Sequence, residues 1–255
     1  MIRDEIRGLV AQALDAAQAA GTLPAFASPE VQLEHPARPE HGDYSANLPL
    51  RIQGLARMKA VAEASRDRSY LLLNLGFFTC GFHVAFIATH LPGVVASCEL
   101  PPSVSAWSLA IIGLFNIGGS LWVGRAIQVW RMKLALAGLY AARAALIVAF
   151  YYSPKVELTF FLFAAGIGFT YLSTVPPTVG LVAKLHGPKY LATLFGIVML
   201  SHQVGGFLGA WLGGKAFEAT GSYDWMWWAD VALCLMAAAV HLPIREARRV
   251  LASPA

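Results

Sequence analysis

From Tyr70 to Leu242 the chain is a succession of long apolar runs separated by short polar loops, whereas before Arg66 polar and apolar residues mix as in a soluble segment. Each run holds about twenty residues, the length at which a helix crosses a hydrocarbon core of roughly 30 Å. The runs predict six spans: Tyr70 to Leu91, Val104 to Val123, Leu134 to Tyr152, Leu158 to Val182, Leu191 to Phe217, and Trp225 to Leu242. They are apolar on nearly every face, and backbone in lipid must satisfy its own hydrogen bonds, so helices are the expected form. A very apolar soluble helical protein is the other reading, but too little polar surface remains to cover six such helices.

The N-terminal pattern is different. Ile2, Ile6, Leu9, Val10 and Leu14 mark one helical face, with Gly21 placed to end it. A short extended stretch, Val31 to Glu34, follows among prolines, and Leu48, Leu50, Ile52, Leu55 and Met58 predict a second helix after a turn at Gly42. This is little apolar mass for an independent core. The predicted fold is an all-α membrane protein of six transmembrane helices, residues 66–255, preceded by a small α+β soluble fragment, residues 1–65. The joint, VAEASRDR from Val61 to Arg68, has no Gly/Ser/Pro linker character.

Composition agrees: hydrophobic residues are 57% and charged residues 13% of the chain, against roughly a quarter charged in soluble domains. The placement of charge says more than the net +4. Arg66, Arg68, Arg125, Arg131, Lys133, Lys184, Lys189, Arg245, Arg248 and Arg249 fall on one side of the six-span scheme, and only Lys155 and Lys215 on the other. That asymmetry predicts both termini in the cytoplasm, with Trp225, Trp227 and Trp228 forming an outer aromatic belt. Cys80, Cys98 and Cys234 show no paired or metal-ligand spacing. The N-terminus, with Asp4 and Glu5 and no sustained apolar region, is not a signal peptide.

Inside the spans, polar residues carry the candidate chemistry. Arg143 lies about ten residues into the third span, where an arginine costs at least ~2.5 kcal/mol and usually faces a bundle interior or an aqueous cavity. It suits an anion-binding or counter-ion role, or a structural pairing with a carbonyl or acid. His83, and His202 with Gln203, could relay protons or serve as hydrogen-bonded structural groups. Asn116 suits helix–helix contact, and Asp230 is a conceivable partner for Arg143. Gly205, Gly209 and Gly213 recur at four-residue spacing, with Gly206 and Gly214 beside them, which predicts close approach of two helix backbones. Pro176 and Pro177 predict a kink or local unwinding in the fourth span.

The segments LNLGFFTCGFHVAFIATHLPGVV, IGLFNIGGSLWVGRA, LSTVPPTVGLVAKLHGPKYLATLFGIVMLSHQVGGFLGAWLGG and ATGSYDWMWW resemble the C-terminal half of a major facilitator superfamily transporter. They are most similar to bacterial members grouped with oxalate/formate and monocarboxylate carriers. GRAIQVWRMK, Gly124 to Lys133, resembles the family's basic loop between the second and third spans of a half, without the acid that the fuller loop carries after its glycine. The resemblance implies a fold of two six-helix halves with substrate held between them, of which this chain supplies one. It implies a multi-pass inner-membrane carrier of a small solute such as an organic anion. Its substrate would meet Arg143, His83, Asn116, His202 and Gln203 on the surface between halves. The chain is expected to need the lipid bilayer and a second six-helix half or self-association. No catalytic residue, metal or cofactor is expected.

RDEIRGLVAQALDAAQAAG, LPAFASPEVQLEHPARPEHGDYSANLPLRI and ARMK resemble the start of bacterial arginyl-tRNA synthetase, most specifically in PEHGDYSAN, Pro39 to Asn47. In that family this opening helps recognise the outer corner of tRNA. Here it reads as a truncated fragment, since neither H-x-G-H nor K-M-S-K occurs. With six Lys and Arg against eight Asp and Glu up to Glu63, phosphate attraction is weak and tRNA binding is not expected. His41 and Asp43 read as a turn motif rather than a catalytic pair. Two alternatives to a carrier remain open: a non-functional chimeric fusion, and a synthetase-derived tRNA-binding fragment anchored to the membrane.

Overall fold

The computed structural model of the chain describes residues 2–34, 45–46 and 48–246. They divide into two compact units, Met1–Ser65 and Arg66–Ala255. The PEHGDYSAN run, apart from Ser45 and Ala46, lies outside the described residues, as do Arg248 and Arg249.

In the first unit α1, Ile2–Ala19, ends as its sequence predicts: Gly21 adopts φ +71°, a left-handed conformation that costs glycine little. Two-residue strands β1, Leu33–Glu34, and β2, Ser45–Ala46, pair antiparallel, and α2 spans Leu48–Ala64. Val31, Leu33 and Leu48 form a small core against Ile6, Val10 and Ile52. The α+β expectation is not supported: the regular structure among the described residues is two helices, and one two-residue pair makes no sheet layer. Leu9 and Met58, assigned from periodicity to apolar faces, are exposed.

The second unit is a helical bundle. Its elements are α3 (Arg68–Ser97), α4 (Pro102–Ala126), α5 (Met132–Tyr152), α6 (Glu157–Thr170), α7 (Val175–His186), α8 (Leu191–Thr220) and α9 (Asp224–His241). Helices α6 and α7 continue one another across a break at residues 171–174, so among the described residues five helices are long and apolar enough to cross a membrane, counting Glu157–His186 as one. The eighteen-residue α9 is not among those five; it carries Asp224 and Asp230 and packs on α5 and α3. The core centres on stacked aromatics, with Phe150 at 4.2 Å from Phe163 and Phe86 edge-on to Trp227 at 5.0 Å. Trp227 is therefore a core residue rather than part of an interfacial belt, while Trp225 and Trp228 on the same turn stay exposed.

The most extensive helix pair is α3 with α8, and glycine sets it. A Cβ on Gly205 would collide with the Phe78 carbonyl, one on Gly209 with the Phe82 carbonyl, and one on Gly81 with the His202 carbonyl. Backbone meets backbone at three points, as the four-residue glycine spacing predicts. Gly213, the third member of the repeat, instead accommodates the His90 ring, whose Nε2 bonds the Ala210 carbonyl at 2.8 Å.

Candidate functional site

The break between α6 and α7 follows from Pro176 and Pro177. Neither has an amide hydrogen, so a continuous helix would leave two carbonyls unpaired. The chain places both prolines in the first turn of α7, where that hydrogen is not needed. The helix therefore stops a turn before the prolines, and residues 171–174 form bends and turns that interrupt it, although Tyr171 and Thr174 keep right-handed helical backbone angles.

The polar groups released there are taken up by side chains from neighbouring helices. Arg143 on α5 reaches the break with its Nη2, donating to the Thr170 carbonyl and, at 2.9 Å, to the Tyr171 carbonyl. Asn116 on α4 accepts the Leu172 amide at 3.0 Å. On α3, Cys80 Sγ lies 3.2 Å from Thr174 Oγ1. The Tyr171 hydroxyl donates to the Val84 carbonyl at 2.8 Å. Arginine, asparagine and cysteine on three helices thus hold one four-residue segment. The Arg143 guanidinium also packs on the Tyr140 ring, 5.2 Å from its centre. Its Nε and Nη1 have no hydrogen-bond partner among the described residues.

Beside this lies a second buried pair. His83 Nδ1 contacts Asp230 Oδ2 at 2.6 Å, both side chains fully enclosed, with Cys234 Sγ 3.8 Å from the other carboxylate oxygen. An ionised Asp230 can only accept, so His83 is then the donor. The three offer ligand atoms within 4.8 Å of one another. However, the histidine and carboxylate already touch directly, an arrangement that satisfies both without an ion. Burying one partner alone would cost several kcal/mol, roughly 3–5.

The structure brings Arg143, Asn116 and His83 together around the break; on α8, His202 lies beside Cys80 and bonds Gln203 at 3.1 Å. Their burial is uneven. Arg143 and His83 are fully buried, His202 is nearly so, Asn116 is half-buried and Gln203 is exposed. The physical reason is local: the free carbonyls at the break point inward, and a guanidinium at membrane depth goes to them. Asp230 serves His83, not Arg143.

Sequence reasoning missed Glu246. It follows α9 and is 7% exposed. Its carboxylate accepts the Met132 and Lys133 amides at 3.1 Å each and pairs with Lys184 Nζ at 2.7 Å. Arg131 Nη2 donates to the Glu246 carbonyl at 2.7 Å. Burial alone would raise this carboxyl, but the Lys184 bond and the two amides outweigh it and hold it below the ordinary glutamate value. The available signal was α5 itself, which starts after Arg131 with no capping side chain and so calls for an anion from elsewhere. The anion at the start of α5 is thus supplied from beyond α9.

Residues 71–255 match the model of the Major Facilitator Superfamily, and residues 4–65 match that of the arginyl tRNA synthetase N terminal domain. The second unit is similar to the uncharacterized MFS-type transporter YcxA of Bacillus subtilis: 26% identity over 176 residues, 67% of this chain and 42% of that protein. The first unit is similar to the arginine–tRNA ligase of Pseudomonas paraeruginosa, 40% identical over 65 residues, 26% of this chain and 11% of the ligase. The ligase of Ectopseudomonas mendocina is 40% identical over 58 residues, 23% of the chain and 10% of that protein. The chain therefore spans under half the length of each of these relatives.

Proposed function

Because the chain belongs, through residues 71–255, to the Major Facilitator Superfamily, we propose that its membrane unit carries a small organic anion across the inner membrane, with the α6–α7 break as the solute site. The observation that carries this reading is a broken membrane helix whose freed carbonyls are held by an arginine whose Nε and Nη1 have no hydrogen-bond partner among the described residues. Discontinuous helices mark binding sites in secondary transporters, and the positive end of a half-helix favours an anionic group. Here the N-terminus of α7 and Arg143 converge on the same four residues. Asn116 and Gln203, which keep exposure, meet the solute first. Arg143 and His83 are reached when the break rearranges, and His202 orients Gln203.

In this reading α9 is the sixth span, both termini are cytoplasmic, and the basic loops lie on the cytoplasmic face. Alternating access needs a second bundle to rock against. A second copy of this chain or a separately encoded six-helix half would supply it. The first unit is proposed to be non-catalytic, since the domain it matches is the synthetase's N-terminal one.

The test is uptake of radiolabelled mono- and dicarboxylates into proteoliposomes, compared with empty vesicles. Saturable uptake of at least one anion is the expected result. No uptake of any, with the protein shown to be inserted, rejects the carrier reading in favour of an inert hybrid.

A further inference from the structure

A groove of about 520 Å³ runs between the C-terminal half of α4 and the N-terminal half of α5 and reaches the end of α6. That volume falls in the range of small-molecule sites, roughly 300–1,000 Å³. Gly138 and Ala142 line it along α5, leaving depth for a chain-like occupant. Trp122 and Trp130 stand edge-to-face at its rim, ring centres 5.4 Å apart, each about half exposed. Phe169 and Thr170 close the inner end.

Its mouth is basic. Arg131 lines it, and exposed Arg125 immediately precedes the lining Ala126. Arg131 spends Nη2 on the Glu246 carbonyl, while its Nε has no hydrogen-bond partner among the described residues. The acid facing this corner, Glu246, is already occupied by two amides and Lys184. An apolar slot at membrane depth, opening at tryptophans and arginines, is complementary to one kind of molecule. Basic pockets between spans at the cytoplasmic side take anionic lipid headgroups.

We propose that this groove binds one anionic glycerophospholipid, an acyl chain lying along Gly138 and Ala142 and the headgroup phosphate at Arg131 and Arg125. The chain end abuts Thr170, whose carbonyl is held by Arg143, so the bound lipid braces the end of α6 where the helix breaks. The inference rests on the membrane reading and not on transport, and its readout is binding.

The experiment is native mass spectrometry of the detergent-purified full chain titrated with phosphatidylglycerol or phosphatidylcholine of identical acyl chains. One phosphatidylglycerol is expected to be retained about tenfold more tightly, the scale that one or two membrane-surface cations give. The Arg125→Gln/Arg131→Gln double variant is expected to erase that preference. Gly138 has open space where a side chain would go, so Gly138→Leu fills the groove without a clash and is expected to lose the retained lipid of either class while keeping its helical circular dichroism. Glycerol 3-phosphate, which shares the phosphate but lacks the chain, is expected not to displace it. Equal retention of the two lipids, or undiminished phosphatidylglycerol binding by folded Gly138→Leu, overturns the proposal. Should Gly138→Leu fail to fold, the arginine variant decides: an unchanged preference overturns it. Displacement by glycerol 3-phosphate overturns the acyl-chain assignment and leaves a plain phosphate site.

Discussion

A buried charge in a membrane bundle is explained only when its partners are named, and Arg143 and Glu246 show two different solutions. Arg143 satisfies the Thr170 and Tyr171 carbonyls, which lose their intrahelical partners where α6 ends. Arg143→Ala is expected to abolish uptake while leaving insertion intact. Arg143→Lys keeps the charge but loses the Nε and Nη1 donors of the planar guanidinium, which the carbonyls leave uncommitted, so partial uptake is expected. Full uptake by the alanine variant rules out the role. Glu246 satisfies amides at a helix N-terminus, and its carboxyl is held below the ordinary value of about 4.3. The stabilisation it contributes is therefore complete above that value and is lost as pH falls through the lower folded one. Glu246→Gln is expected to cost about 1–2 kcal/mol at neutral pH and to flatten the acid limb of the melting temperature measured in detergent. A mutant limb parallel to the wild type would count against it. Arg143 was legible in the sequence as a costly residue at midplane depth, but its partners were not. Its carbonyl acceptors lie 27 and 28 residues away, and Asp230 reaches His83 across 147. Glu246 was overlooked because a lone acid in a basic tail looks like solvent-facing charge until the uncapped start of α5 is placed against it.

Helix positions were the most legible feature, since a run of apolar residues is both the sequence signal and the physical cause of a span. Each predicted run begins and ends within a few residues of a helix, with α3 and α8 extending further than their apolar cores. The break was legible in kind but displaced, because prolines start α7 rather than interrupt it. The glycine repeat was legible as a contact, but its partner was not, since Gly81 on α3 reciprocates from outside the repeat. This makes a sharp comparison within one helix. Gly209→Leu drives a side chain into the Phe82 carbonyl, whereas Gly196 on the same α8 faces open space. Gly209→Leu is expected to destabilise by about 1–3 kcal/mol or more, and Gly196→Leu to leave the melting temperature nearly unchanged. Equal effects of the two would mean that the α3–α8 crossing is not held by backbone contact.

At the scale of the whole chain, two sequences with different solvents are joined. The abrupt change from mixed to continuous apolar character at Arg66 falls where the two compact units divide. Within the first unit the α+β reading did not hold, since its short extended stretches pair over only two residues. The most decisive whole-chain prediction concerns tRNA charging. Residues 4–65 are matched by the domain that begins the synthetase, and residues 71–255 by a transporter family. Activating an amino acid requires a nucleotide fold of alternating strands and helices around a parallel sheet. Between these two assignments only residues 66–70 remain, and of these 68–70 already belong to α3. The synthetase's N-terminal domain, which residues 4–65 match, is not its catalytic one. The purified chain is therefore expected to show no arginine-dependent ATP–pyrophosphate exchange above a no-enzyme control. It is also expected to be recovered from cells only with detergent. Exchange above the control would show that the first unit has catalytic capacity of its own, and recovery without detergent would remove the membrane reading.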